Sequence, residues 1–211
     1  MQAKIKFKSY LKSVIPKSIM IQKLPGESSK RAIITFDDGP CPQFTPKVLE
    51  VLRQHRCKAI FFVVGKKCEE NPELVKDIIR EGHLLANHSY NHINTDDSNF
   101  NEYKDDVKKC DIVLSKFGAN SGLFRPPFGR LNLKSIYAAK SLDLKMILMS
   151  NSGGEWNYNK NESPNEIANS IISKLKNNDI ILMHDNNKNI PIALEILIDY
   201  LQENQIRYDF E

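Results

Sequence analysis

Two short stretches hold pairs of residues that folding alone does not explain. In "IITFDDGP", Asp37 and Asp38 stand side by side at the end of an apolar, β-branched run. Adjacent ionised carboxylates repel, and burying either one is costly unless a cation or hydrogen bonds compensate. In "NHSYNH", His88 and His92 lie four apart. On a helical turn or a tight loop that spacing lets both imidazoles face one point, as two metal ligands must. Two histidines and an aspartate with an open fourth position make a catalytic zinc site. On that chemistry one aspartate binds the cation and its neighbour handles protons, and spacing leaves open which does which.

The elements that must position these residues alternate between strand and helix. Strand patterns fall at 32–36, 59–64, 83–86, 123–125, 146–149, 180–183 and 207–210. Helical faces come from Val48, Leu49 and Leu52, from Leu74, Val75, Ile78 and Ile79, from Val107, Cys110, Leu114 and Phe117, and from Ile167, Ala168, Ile171, Ile172 and Leu175. Thr45-Pro46, Asn71-Pro72 and Ser163-Pro164 read as helix starts, each a capping-type residue before proline, and Gly82 and Gly118 as stops. Seven β/α alternations imply parallel strands with helical crossovers, as an open doubly wound sheet or a barrel. Asp37, Asp38, Asn87, His88, His92, Arg125, Glu155, Trp156, His184 and Asp185 then all fall at the carboxyl ends of strands. In a barrel those ends meet at one mouth, where active sites sit. His83 precedes its strand at the opposite end and reads as structural.

Length and composition suit a single soluble α/β domain of 211 residues, with 41% apolar and 27% charged side chains. The net charge of +4 is uneven: residues 1–31 hold eight Lys/Arg against Glu27, and the remainder 22 bases against 25 acids. The body therefore offers no basic stripe for nucleic acid. Within the basic segment, residues 1–30, Phe7, Tyr10, Leu11, Val14 and Ile15 share one helical face. That face either packs on the body or lies on a membrane surface. No run reads as a secretory signal or a membrane span, so the expected setting is cytoplasmic, with peripheral contact at the inner membrane face as a further expectation. Cys41, Cys57, Cys68 and Cys110 show no metal-ribbon spacing and read as reduced thiols.

The ordered motifs "TFDDGP", "HSYNH", "RPPFG" and "LMHD" resemble the polysaccharide deacetylase family, also called the NodB-homology domain or carbohydrate esterase family four. The likeness runs from about residue 31 to residue 211. It implies a distorted (β/α)7 barrel and hydrolysis of an N-acetyl, occasionally O-acetyl, group on a sugar. It also implies one divalent metal, zinc first and cobalt or nickel as alternatives, on Asp38, His88 and His92. In that pattern Asp37 is the general base, Arg125 pairs with it, and His184 is the acid that protonates the leaving amine. The backbone N–H of Phe128 holds the oxyanion, and Leu182 and Trp156 wall the acetyl slot. The implied partner is an N-acetylated saccharide, here a glycan or a lipid-linked precursor.

One motif departs from the family. Relatives carry two aspartates three apart, the second directly before Trp; this chain reads "SGGEW". Ser152 thus replaces the first and Glu155 the second, the acid that in the family tunes the acid histidine. Two other functions follow from weaker signals. One is hydrolysis of a formyl or non-sugar C–N bond. The other is a non-catalytic sugar-binding role, against which the intact acid/base set argues.

Overall fold

The computed structural model describes residues 16–25, 30–119, 121–154 and 162–208. Its strands are β1 (Met20–Ile21), β2 (Ala32–Asp37), β3 (Ile60–Val63), β4 (Leu84–Asn87), β5 (Leu123–Phe124), β6 (Lys145–Ile147), β7 (Asn151–Ser152) and β8 (Asp179–His184). The helices are α1 (Thr45–Gln54), α2 (Gly65–Glu70), α3 (Pro72–Arg80), α4 (Phe100–Lys116), α5 (Leu133–Ser141), α6 (Pro164–Ile172) and α7 (Ile190–Glu203). All eight strands join one parallel sheet in the order β1-β6-β5-β4-β3-β2-β8-β7. The sheet curls into a half-barrel, the distorted α/β barrel expected. Across its gap, Lys23 bridges Asp179 and the Leu24 N–H donates to the Asn178 carbonyl at 2.9 Å.

Strand alternation fixes what faces the interior. Side chains two apart share a face. Ile33, Ile60, Phe62, Ala86, Ile147 and Ile180 form an inner apolar cluster. Their neighbours Ile34, Phe36, Phe61, Val63, Ile181 and Met183 pack outward against the helices. Continuing the inner rows upward leads from Ile33 through Thr35 to Asp37, and from Ile180 through Leu182 to His184. The β2–β8 register sets Asp37 directly beside His184 and Thr35 beside Leu182.

Several expectations need correction. Of the strand expected at 207–210, Arg207 forms an isolated bridge to Arg31, Tyr208 joins no strand, and 209–211 lie outside the described residues. Two strands went unforeseen, β1 and β7, each only two residues long. Met20 is buried, so the sheet takes in part of the segment read as a basic extension. Phe7, Tyr10, Leu11, Val14 and Ile15 lie outside the described residues. Thr45 does not cap α1: Phe44 takes the cap position without a side-chain cap bond, and the Thr45 hydroxyl is engaged elsewhere. Asn71 takes the cap position of α3 without a side-chain cap bond, while Ser163 makes a full capping box with Glu166. All four cysteines are free thiols. Burial, with Asp185 and Glu69 nearby, pushes the Cys68 thiol up to about 12. Among the described residues no helix is long and apolar enough to cross a membrane.

Candidate active site

A cavity of about 370 Å³ opens at the carboxyl ends of the strands, lined by Asp37, Asp38, His88, His92, Phe128, Gly129, Met149, Leu182 and His184. Strict alternation would send adjacent Asp37 and Asp38 to opposite faces of the sheet. The chain avoids this by leaving the pleat at Asp38, whose φ of 73° is left-handed. Both carboxylates thereby reach one cavity, and a strand ending in two aspartates becomes intelligible. His92 (φ 56°) and Phe128 (φ 58°) adopt the same left-handed backbone. For non-glycine residues such conformations cost about 1–3 kcal/mol each and persist only where the surroundings hold them.

The loop carrying the histidines is held from three sides. Asn87 donates to the Val107 carbonyl at 2.8 Å and accepts the Ser89 N–H at 2.8 Å. Asp106 of α4 accepts the Tyr90 N–H (3.0 Å), the Asn91 N–H and the Asn91 amide (2.7 Å). The first N–H groups of α2, from Gly65 and Lys66, donate to the Ser89 and Tyr90 carbonyls, each at 3.0 Å.

Asp38, His88 and His92 offer one ligand atom each, and these atoms lie within 4.8 Å of one another. Asp38 Oδ1 is 3.0 Å from His92 Nε2 and 3.5 Å from His88 Nε2. His88 Nδ1 lies 2.7 Å from the Arg125 carbonyl. A carbonyl only accepts, so Nδ1 carries the proton and Nε2 turns its lone pair toward Asp38. Metal-binding histidines are oriented in this way. The donor set fits a divalent ion such as zinc. Burial alone would raise the Asp38 carboxyl, but the imidazoles of His88, His92 and His184 gathered around it hold it well below the usual carboxylate range.

Asp37 is separately restrained. Arg125, wholly buried, brings Nη1 to 2.6 Å from Asp37 Oδ1 and 2.8 Å from Thr35 Oγ1, and Nε to 3.0 Å from the Ile147 carbonyl. Its guanidinium stacks 4.0 Å from the Phe62 ring centroid. Burial lowers the Arg125 pKa, and Asp37 opposes that shift. The other Asp37 oxygen faces His88 Nε2 at 3.7 Å. One carboxylate thus faces an arginine and the other two histidines.

Of the residues singled out by sequence, Asp37, Asp38, His88, His92, Phe128, Leu182 and His184 line one cavity, with Arg125 directly beneath. Glu155 and Trp156 lie outside the described residues. Ser152 pairs with Leu182 on β8, next to the wall of the cavity. The Asp185 carboxylate accepts from Thr45. His83 is structural as read: buried below the sheet, it accepts the Ala59 N–H at Nδ1, 3.3 Å. Met149 and Asp106 went unnoticed, and Thr35 and Gly129, though inside the motifs TFDDGP and RPPFG, were given no role. Met149 carries no chemical signal in sequence, and Asp106 is one acid among several on a polar helix.

The architecture is a parallel α/β half-barrel with a two-histidine, one-aspartate cluster at the mouth. The chain belongs to the polysaccharide deacetylase family, whose sequence model matches residues 25–147. It is 33% identical over 178 residues to a peptidoglycan-N-acetylglucosamine deacetylase of Bacillus cereus, covering 82% of this chain and 81% of that protein. A second relative is the peptidoglycan-N-acetylglucosamine deacetylase PgdA of Listeria monocytogenes, 31% identical over 193 residues. The match takes in 90% of this chain but spans only 40% of the length of the Listeria protein. Among solved structures, a peptidoglycan N-acetylglucosamine deacetylase bound to an N-oxidanyl-benzamide superposes with a TM-score of 0.84 at 28% identity. That superposition covers 95% of this chain and 92% of the other.

Proposed function

We propose that this protein is a metal-dependent hydrolase that removes the N-acetyl group from an N-acetylglucosamine-containing glycan. The observation that carries the reading is the convergence of two separately held carboxylates, two imidazole Nε2 atoms and His184 on one cavity. The sugar is inferred from the relatives, whose names specify N-acetylglucosamine in peptidoglycan.

Asp38, His88 and His92 would hold the ion. A divalent cation held there would supply Lewis acidity for the acetyl carbonyl and lower the pKa of a water toward about 7. The chain's own groups do the rest. Asp37 accepts a proton from the attacking water, and Arg125 keeps its carboxylate ionised and oriented by charge and by a 2.6 Å hydrogen bond. The left-handed turn at Phe128 places that residue at the rim beside His92, with ring centroids 4.6 Å apart. There its N–H serves the developing oxyanion. His184, on the strand next to Asp37, gives a proton to the departing nitrogen, without which an amide is a very poor leaving group. Leu182 and Met149 supply apolar walls for the acetyl methyl.

The test is acetate release from N-acetylglucosamine oligomers and from peptidoglycan fragments by zinc-loaded protein, with acetate release from O-acetyl sugars and formate release from N-formyl sugars followed in parallel. Release from the N-acetyl substrates supports the reading. Exclusive release from the formyl or O-acetyl sugars would replace it with the corresponding activity.

A further inference from the structure

One buried acid at the mouth has no role in the chemistry above. Asp185, the first residue after β8, is wholly buried. Carboxylates are almost never fully buried without a paired cation. Among the described residues no lysine, arginine or histidine forms an ion pair with it, and its Oδ1 has no hydrogen-bond partner. Left that way, such a group costs free energy. Its surroundings show what it holds.

Asp185 Oδ2 accepts the Thr45 hydroxyl, and Thr45 Oγ1 accepts the Cys41 N–H at 2.7 Å. The bare Cα of Gly39 faces the same carboxylate so closely that a Cβ there would collide with both oxygens. The next residue, Asn186, donates Nδ2 to Asp38 Oδ2 at 3.4 Å. From the end of β3 and from α2, the Val64 N–H donates to the Gly39 carbonyl at 2.9 Å and Lys67 Nζ to the Asp38 carbonyl at 2.7 Å. The loop after β2 is therefore gripped between β3–α2 and the two residues that follow His184.

We propose that Asp185 is a positioning residue that clamps the loop after β2 against the end of β8, and thereby holds Asp38 in its metal-binding conformation. This rests on the metal-centre reading of Asp38, His88 and His92. Asp38 needs such a hold because its left-handed backbone is unfavourable on its own (φ 73°). The clamp also explains the glycine of "DDGP": only a residue without a side chain lets the carboxylate approach. Partners one step removed from a metal's ligands set its affinity by about 10–100-fold.

The test is titration of the metal-free full-length protein with zinc alone, for wild type, Asp185→Ala, Asp185→Asn and Thr45→Val, with thermal unfolding of each measured without metal. Asp185→Ala and Thr45→Val should weaken zinc binding by about 10–100-fold. Asp185→Asn keeps an oxygen for the Thr45 hydroxyl and should stay within about threefold of wild type, well inside that range. A residue that merely supports the fold would move the melting temperature and leave zinc affinity of the folded protein alone. Wild-type affinity in Asp185→Ala, or a loss in both variants that only tracks their unfolded fraction, would overturn the clamp. A wild type that takes up no zinc would instead overturn the metal centre on which the clamp depends.

Discussion

Arg125 Nη1 lies 2.6 Å from Asp37 Oδ1, and neither side chain is more than 5% exposed. The pair sits between the apolar inner cluster and the cavity, with Phe62 below the guanidinium and Thr35 beside it. Breaking a buried pair from one side leaves an uncompensated charge and typically costs about 3–5 kcal/mol. Arg125→Met should therefore lower unfolding free energy by about that amount and abolish turnover. Urea unfolding and a kinetic assay check the two effects separately.

Removing the other partner probes chemistry more than fold. Asp37→Asn keeps an oxygen facing Arg125 but cannot accept the water's proton. Turnover should fall by about 10²–10⁴ while zinc still binds, because the ligand atoms come from Asp38, His88 and His92. Comparable zinc stoichiometry in wild type and variant, measured beside kcat, checks this division of labour.

Zinc should stabilise the fold as well as activate it. Ligand at 100 times its Kd adds about 2.7 kcal/mol. For a chain of this size that is a rise in Tm of about 5–10 °C, reversed by chelator. His92→Ala should show no such rise, which a scan of each protein with and without zinc will read.

His83, at the opposite end of the sheet, makes a different forecast. Burial, aided by Lys58, lowers its pKa from 6.5 to about 4. The unfolded chain then binds the extra proton first, so stability falls as pH drops from about 6.5 to about 4. The full contribution is present above the unfolded value and amounts to about 3 kcal/mol. Nδ1 also accepts the Ala59 N–H, a bond that a proton there would break. His83→Gln should flatten this part of the stability–pH curve, as equilibrium unfolding across pH 4–7 will show.

Much of this was legible beforehand because strands and ligands announce themselves locally. The β-branched run before Asp37 and the His-x-x-x-His spacing each carry their signal within a few residues. What escaped notice depends on distant contacts. β1 and β7 are two residues long, too short for any period. The aromatic and charged stretch 207–210 has strand composition, yet at Arg207 it meets only one partner residue. Thr45 looks like a helix cap in sequence, but tertiary structure diverts its hydroxyl to Asp185, 140 residues away. Nor does local pattern reveal that Asp38 would break the pleat, which is what lets two adjacent carboxylates serve one site.

The most direct test of the central claim is acetate released per mole of zinc-loaded protein from an N-acetylglucosamine oligomer, beside zinc-loaded Asp37→Asn. Steady release by wild type, at least about 100-fold above the variant, is the predicted result. Wild-type protein holding one zinc on Asp38, His88 and His92 yet releasing no more acetate than Asp37→Asn would contradict it.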